Sequence, residues 1–427
     1  MKKRILAVIA AACLLFTGCS GLTESLQRLR SDRLPDAPLA DLPYIDPHIE
    51  TPFEPQVMQF YYGQLASDGE RQLYRAYLQF LIDGEGDSVY VKGEFTQEQV
   101  AQALYALQCD YPQFLTRSWG YNCTYYSTSG GSGLGVELSP VEEQDGSGSH
   151  QEELYRALSA TLAQAAGQAD VWERQLLLYE LLVGGTDYNT GASDTAPLMP
   201  GEELPLRARL AHTAYGALVQ RQAVCDGYAY AFQLLCSYAG IPAATVTGMS
   251  QRDEGLGESG YVENHAWNLI AYGEEYYYCD PTWDDNGGEY LDADGGRVTS
   301  PNSVDGLRPL LPQVLHRYFN LSYEEMAGDH EFSPKFSYPT RTGQARDYYT
   351  LRELSAQSPG ELERLLAAAF VGKGGQDAGF ELRVSYPVDN LTEEIFSRLY
   401  VVGVRGTVLV GYTPNDSGCC YIFVYHP

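Results

Sequence analysis

From Val224 to Tyr238 the apolar positions Val224, Tyr228, Ala231, Phe232, Leu235 and Tyr238 recur at three- and four-residue steps, the stripe of a buried helix. The pattern predicts a helix opening near Cys225, and Ala239-Gly240-Ile241-Pro242 supplies the glycine-then-proline stop. The period then changes to two. Val262 to Ala271 and Glu275 to Asp280 read as strands, the second halted by Pro281. With Tyr272-Gly273 as the turn, Ala271 would face Glu274, Leu269 would face Tyr276, Trp267 would face Tyr278 and His265 would face Asp280. Leu269, Tyr276, Trp267, Tyr278, His265 and Asp280 then share one sheet face, and Cys279 points to the other.

The flanks are patterned differently. From 54 to 170 the chain reads as mostly helical. Tyr62, Leu65, Leu73, Tyr77, Phe80 and Leu81 make a stripe within 61–82, and Thr96 with Gln99 forms a capping box for 97–109. A short strand is expected over 119–126, and a Gly-, Ser- and Glu-rich loop or partly paired hairpin over 127–150. Helices follow at 151–167 and 171–184. After the cysteine helix, 241–246 reads as a strand and 247–263 as a loop bearing Asp253, Glu254, Glu258 and Glu263, which leads into the histidine strand. Asp284-Asp285 and Asp292-Ala293-Asp294 resemble calcium loops without completing the 12-residue ligand pattern. In 345–427, helices at 359–370 and 391–400 alternate with strands near 379–386, 406–412 and 419–426, a small α+β accessory or partner-binding module.

The chemistry concentrates where the period changes. A thiol at a helix N-terminus faces unpaired N–H groups and the positive end of the macrodipole, both favouring thiolate. A carboxylate facing an imidazole holds a base in one tautomer. Cys225, His265 and Asp280 thus form a candidate nucleophile, base and orienting acid if the cysteine helix packs on that sheet face. The backbone N–H of Cys225 is the natural first oxyanion donor, with Tyr215, Gln222 and Trp267 as candidates for a second.

Three stretches carry a resemblance: AVCDGYAYAFQLL from Ala223, NHAWNL from Asn264, and YCDPTWDD from Tyr278. In order and spacing they resemble the transglutaminase-like superfamily of papain-type cysteine hydrolases. The segments around Thr213–Val219 and Gly240–Ala243 are similar to those of bacterial members, and Arg317 to Ser322 with His330 resembles the closing segment. The resemblance implies an α+β papain-like core over 171–338, with the cysteine helix packed on an antiparallel sheet and a Cys225–His265–Asp280 triad. It implies action on peptide or carboxamide bonds through a thioester, as protease, amidase or transamidase. One departure stands out: Leu178 to Val183 lacks the His-Asp pair many members carry, leaving that helix without an expected auxiliary role. A non-catalytic surface scaffold or peptide-binding protein on the same fold is the alternative from another class.

Charge and termini place these expectations. Lys2-Lys3-Arg4, an apolar run from Ile5 to Phe16 and Thr17-Gly18-Cys19 predict a lipoprotein signal over 1–18, too short to span a bilayer, with Cys19 as the lipidated residue. Residues 19–53, carrying Pro35, Pro38, Pro43 and Pro47, are expected to be a tether. The expected location is lipid-anchored on the extracytoplasmic face of the cell membrane, or secreted if cleavage is ordinary. The net charge is −28, and about −31 without the three basic leader residues. Such a surface disfavours nucleic acid and direct adhesion to anionic headgroups. The expected partners are proteins or peptides, cell-wall peptides among them. Nine cysteines form no regular framework, although Cys109 and Cys123 are spaced so that they could pair. With no Cys-x-x-Cys or His/Cys cluster, no metal and no cofactor are expected.

Overall fold

A computed structural model describes residues 43–83, 89–93, 95–116, 119–128, 131–140, 148–193, 206–250, 264–285, 289–291, 297–298, 314–372, 378–412 and 418–425. The expected leader, Cys19, and the acidic residues 253, 254, 258 and 263 lie outside them. The chain divides into two compact units, 1–178 with 188–245 and 179–187 with 246–427.

In the first unit, helices Asp68–Asp83, Gln97–Asp110, Gly148–Gln164 and most of Val171–Val183 precede the cysteine helix Cys225–Tyr238. The first of these starts six residues after Tyr62, where its apolar stripe begins. Ser67 and Glu70 form a reciprocal cap there, and the N–H groups of Tyr61 and Tyr62 donate instead to the buried carboxylate of Asp110. The Thr96–Gln99 capping box forms as expected. Trp119–Thr128 and Gly131–Pro140 pair as an antiparallel hairpin, with Val89–Gly93 added to the second strand. Cys109 carries a thiol outside any disulfide.

The cysteine helix is fixed at both ends. Its C-terminus closes in a Schellman arrangement, with Gly240 at φ +78°, Ile241 N–H on the Cys236 carbonyl at 2.9 Å, and Gly240 N–H on Ser237. At its N-terminus the Val224 N–H donates to the Ala211 carbonyl at 3.0 Å. A side chain at Gly227 would lie 2.4 Å from that same carbonyl, so only glycine allows the approach. Midway, the buried Gln233 amide accepts from both the N–H and hydroxyl of Thr245 and donates to the Cys109 carbonyl. That ties the helix to the start of strand Ala243–Ser250.

The second unit is built on two sheets. A four-stranded antiparallel sheet orders His330–Phe332, Ala243–Ser250, His265–Tyr272 and Glu275–Cys279. Gly248 lacks a side chain because the Trp267 ring occupies its face, 2.4 Å from where a Cβ would lie. A six-stranded sheet takes Ser355–Ala356, Ala378–Val384, Cys419–Tyr425 and Thr407–Tyr412 from the C-terminal region and Glu289–Leu291 and Arg297–Val298 from upstream. Helices Pro359–Phe370 and Leu391–Val401 bury Leu362, Leu366 and Ile395 with Leu382, Val410 and Ile422. The molecule is therefore mixed α and β, with an antiparallel sheet in the stretch where the resemblance places its core. Among the described residues no helix is long and apolar enough to cross a membrane.

Candidate active site

The histidine hairpin differs from its expected register by two residues. Tyr272 pairs with Glu275, Leu269 with Tyr278 and Asn268 with Cys279, so Gly273-Glu274 forms the turn. Gly273 adopts φ +65° at the first central position, the place a type II′ turn gives to glycine. A two-residue shift preserves the face each side chain occupies. His265 therefore meets Asp280 diagonally rather than directly across the hairpin. The contact is still close: His265 Nε2 lies 2.7 Å from Asp280 Oδ2, with both side chains buried.

Asp280 follows the last strand residue, and its backbone is held from both sides. Its N–H donates to the Tyr318 carbonyl, and the preceding Tyr278 exchanges both backbone bonds with Leu321. Its carboxylate Oδ1 accepts from the N–H groups of Thr282 at 2.9 Å and Trp283 at 3.2 Å, a local turn that proline at 281 helps to shape. Oδ2 accepts a second imidazole, His330 Nε2, at 3.1 Å. Four donors thus fill the lone pairs of a carboxylate that has no exposure. Burial alone would raise its pKa, but His265 and His330 together hold it well below the usual carboxylate range.

His330 begins the strand at the far edge of this sheet. Its other nitrogen, Nδ1, lies 2.6 Å from Asp329 Oδ1. Asp329 Oδ2 in turn accepts from Arg317 Nη2 at 3.0 Å and the Tyr318 hydroxyl at 2.6 Å. Burial works against a charged His330, yet the hydrogen bonds and charges of Asp280 and Asp329 raise its pKa overall. Rings close around it: Trp283 at 4.5 Å, Trp267 at 4.8 Å, Tyr318 at 5.6 Å and His265 itself at 5.4 Å between centroids.

Beneath this cluster is a third layer. Tyr179 reaches the Asp280 carbonyl at 3.0 Å and donates to Asp284 Oδ2 at 2.6 Å, and Asp284 also accepts the Tyr318 N–H. The helix expected to have no auxiliary role therefore supports the Asp280 loop. Burial pushes the Asp284 carboxyl well above the usual range. Its oxygens are taken up by the Tyr179 hydroxyl and the Tyr318 N–H, while Asp292 and Asp294 lie outside the described residues.

His265, Asp280 and His330 offer donor atoms within 4.8 Å of one another. Both Nε2 atoms, however, are at hydrogen-bonding distance from the same oxygen, and the remaining nitrogen of His330 is on Asp329. In this structure the trio is joined by hydrogen bonds through one shared oxygen.

In the first unit, Cys225 is the first residue of its helix and is half-buried. Val224 at the N-cap makes no side-chain cap hydrogen bond, as expected of an apolar residue there. Next to the thiol, Asp226 accepts from its own neighbour, the Gly227 N–H, and pairs with His212 Nδ1 at 2.8 Å.

The other sequence candidates fall in varied settings. The Tyr215 hydroxyl donates to Glu153 at 2.6 Å, and Gln222 accepts from Arg207 through its carbonyl oxygen, keeping its amide donors. Trp267 is fully buried, and its indole N–H has no hydrogen-bond partner among the described residues. Sequence reasoning flagged the Arg317–Ser322 segment and His330 only as a closing stretch. The adjacent Asp329-His330 pair, an acid beside a base, was the signal that could have marked its role.

No curated protein matches the chain. A crystal structure of a TGase aligns at 13% identity and a TM-score of 0.25, covering 46% of this chain and 51% of that one. The chain thus spans about half the length of that TGase. A protein from Cytophaga hutchinsonii, provisionally assigned as a cysteine protease, aligns at 13% identity and a TM-score of 0.23, covering 44% of this chain and 72% of that one. Residues 200–281, which contain Cys225, His265 and Asp280 and stop short of His330, match the family model of the transglutaminase-like superfamily.

Proposed function

We propose that the chain is a thiol enzyme of the transglutaminase-like class that acts on peptide or carboxamide bonds, with Cys225 as nucleophile, His265 as base and Asp280 as the group that orients it. The observation that carries this reading is the buried 2.7 Å contact between His265 Nε2 and Asp280 Oδ2. That contact fixes the tautomer: Nε2–H donates to the carboxylate, and Nδ1 is the nitrogen that exchanges a proton. The pairing of that nitrogen with Cys225 comes from the shared motifs and the family-model match, which contains all three residues.

The reaction then balances in two halves. The Cys225 thiol gives its proton to His265, and sulfur bonds to the substrate carbonyl carbon. Helix N-terminal N–H groups, that of Cys225 first, receive the oxyanion; losing one such donor in other hydrolases costs about 3 kcal/mol. The C–N bond breaks as His265 returns the proton to the leaving amine, and a thioester remains. Water then gives hydrolysis, or a second amine gives transamidation, with His265 accepting the incoming proton and sulfur leaving.

The test is alkylation by iodoacetamide near neutral pH, read by peptide mass spectrometry. Cys225 should label at least tenfold faster than Cys236 or Cys279, which are buried thiols. Equal or slower labelling of Cys225 in the folded protein sinks the reading. Peptide and amine donors profiled against the trapped thioester identify the acceptor. We also propose that Cys19 is lipidated and holds the protein at the outer face of a cell membrane, with wall or neighbouring peptides within reach. A Cys19→Ala precursor should then lose lipid labelling and leave the membrane fraction, and an unmodified wild-type N-terminus in the medium would overturn it.

A further inference from the structure

Apart from the motif residues, the side chain that bonds the Asp280 carboxylate is His330. It is fully buried, and each of its ring nitrogens faces a different carboxylate, Nε2 on Asp280 at 3.1 Å and Nδ1 on Asp329 at 2.6 Å. A neutral imidazole has one donor and one acceptor nitrogen, so two carboxylates are satisfied together only by the doubly protonated ring. The charges in the cluster then balance. Asp280 and Asp329 contribute two negatives, and His330 and Arg317 contribute two positives while His265 is neutral. Protonation of His265 adds one further positive charge, in contact with a carboxylate already shared with another cation.

We propose that His330 is a positioning residue for the candidate site, a charged imidazolium that grips Asp280 Oδ2 from a second direction and so fixes the carboxylate that orients His265. This rests on the reading of His265 and Asp280 given above. It assigns to His330 a role outside the stretch that matches the family model.

The physical case has three parts. First, rotation of the Asp280 carboxylate is broad and roughly two-fold in the absence of neighbours. The turn N–H groups of Thr282 and Trp283 hold Oδ1, and the two imidazoles hold Oδ2, so each end has two donors. Second, His330 is itself anchored. Asp329 is bonded to Arg317 and Tyr318, and the Tyr318 carbonyl accepts the N–H of Asp280, so one segment holds both sides of the clamp. Third, the two ring centroids lie only 5.4 Å apart. A fixed positive charge at that distance disfavours imidazolium at His265, which keeps the proton on His265 easier to return to the leaving amine. The titratable and charged groups facing His330 are Asp280 and His265 from the hairpin, Asp329 beside it, and Tyr318 with Arg317 behind Asp329. Trp267 and Trp283 complete the enclosure.

The experiment compares His330→Gln and His330→Ala in the full chain. Glutamine can donate one N–H to Asp280 without carrying charge, whereas alanine does neither. The readouts are circular dichroism, kcat and KM on a peptide substrate, and NMR titration of selectively labelled histidine rings, with His265 assigned by its loss in His265→Gln. In His330→Gln the His265 midpoint should rise by about one pH unit, since a like charge at this separation is removed. Its kcat should fall roughly tenfold with KM within about twofold, and His330→Ala should fall about tenfold further, so that glutamine partly rescues.

A His265 midpoint that does not move in folded His330→Gln overturns the proposal, as does an equal kcat in both variants. If His330→Gln fails to fold, Asp329→Asn decides. Removing that carboxylate should lower the His330 midpoint by one unit or more, and an unmoved His330 midpoint overturns the clamp. The NMR arms need no turnover. Slow alkylation of wild-type Cys225 therefore defeats the enzymatic reading alone, while an unmoved His265 midpoint with reactive Cys225 defeats only the role of His330.

Discussion

Two buried histidines in the second unit are each held between two carboxylates. His330 lies between Asp280 and Asp329, and His316 lies between Glu381 at 2.8 Å and Glu180 at 3.2 Å. Both are pushed toward the charged form despite burial, His316 to about 9 chiefly by the charge of Glu381. They differ in what lies beyond the carboxylates. Around His316 neither carboxylate meets a second imidazole among the described residues: Glu381 also accepts the His316 N–H and the Tyr349 hydroxyl, and Glu180 is substantially exposed. Around His330 the contacts run on through Asp280 to a second imidazole, His265, and through Asp329 to Arg317 and Tyr318. A histidine paired on both sides is a clip between segments where neither acid meets another imidazole. It becomes part of a site where one acid is shared with a second imidazole.

Replacing the shared acid tests that distinction most severely. Asp280→Asn keeps the size of the side chain but offers an amide where two imidazoles need an acceptor. The resulting loss of kcat should be between about 10² and 10⁴, as when a triad aspartate is amidated in other hydrolases. Glu381→Gln makes the same chemical change at the clip and should leave kcat within about twofold. A comparable loss of kcat from Glu381→Gln, in folded protein, would erase the difference between the two clusters.

The clip should instead register in stability and its pH dependence. Because the folded His316 pKa of about 9 is above the ordinary value near 6.5, its contribution is fully present below about pH 6.5. It is lost as pH rises through about 9. Denaturant unfolding between these pH values should show stability falling with pH, and Glu381→Gln should flatten that fall while lowering stability at pH 6 by roughly 2 kcal/mol. An unchanged slope would mean that His316 is not charged by this pairing.

Tyr179→Phe probes the support beneath the site. The variant removes a hydroxyl bonded to Asp284 and to the Asp280 carbonyl but leaves the ring packed on Phe319, at 5.1 Å between centroids. Stability should fall by about 1–2 kcal/mol and kcat by roughly threefold, since the Asp280 loop loosens without losing its imidazoles. An effect as large as that of Asp280→Asn would move Tyr179 from the support into the reacting layer.

What the sequence made legible follows from the range of each interaction. Local signals translated directly: the Thr96–Gln99 capping box, the Gly240 stop, and the period-two strands around Tyr272. The hairpin parity was readable, because strand alternation fixes which side chains share a face. Its register was not, because that depends on which two residues turn, and Gly273 takes the first central position rather than the second. His330 meets Asp280 across fifty residues, and no periodicity reports such a contact. Tyr179 was passed over for a related reason: the helix was judged by the pair of residues it lacks, while its tyrosine reaches the Asp280 loop 101 positions away.

The smallest expected effect comes from the residue next to the shared acid. Cys279 pairs with Asn268 and belongs to the opposite face of the hairpin from Asp280. Its sulfur lies 3.3 Å from Asn320 Oδ1 and accepts the Asn320 N–H at 3.2 Å, which secures a residue in the left-handed region at φ 57°. Serine has the same donor and acceptor capacity on a shorter bond, so Cys279→Ser should keep both contacts with a small adjustment. Stability should change by less than about 1 kcal/mol and kcat by less than about twofold. The variant separates nearness in sequence from membership of the cluster, since Asp280→Asn alters a site one residue away and should cost at least about a hundredfold. Equal damage from Cys279→Ser and Asp280→Asn, with circular dichroism and melting unchanged, would show that the two faces of this hairpin are not independent. The division between the His330 site and the structural contacts around it would then have to be redrawn to include Asn320.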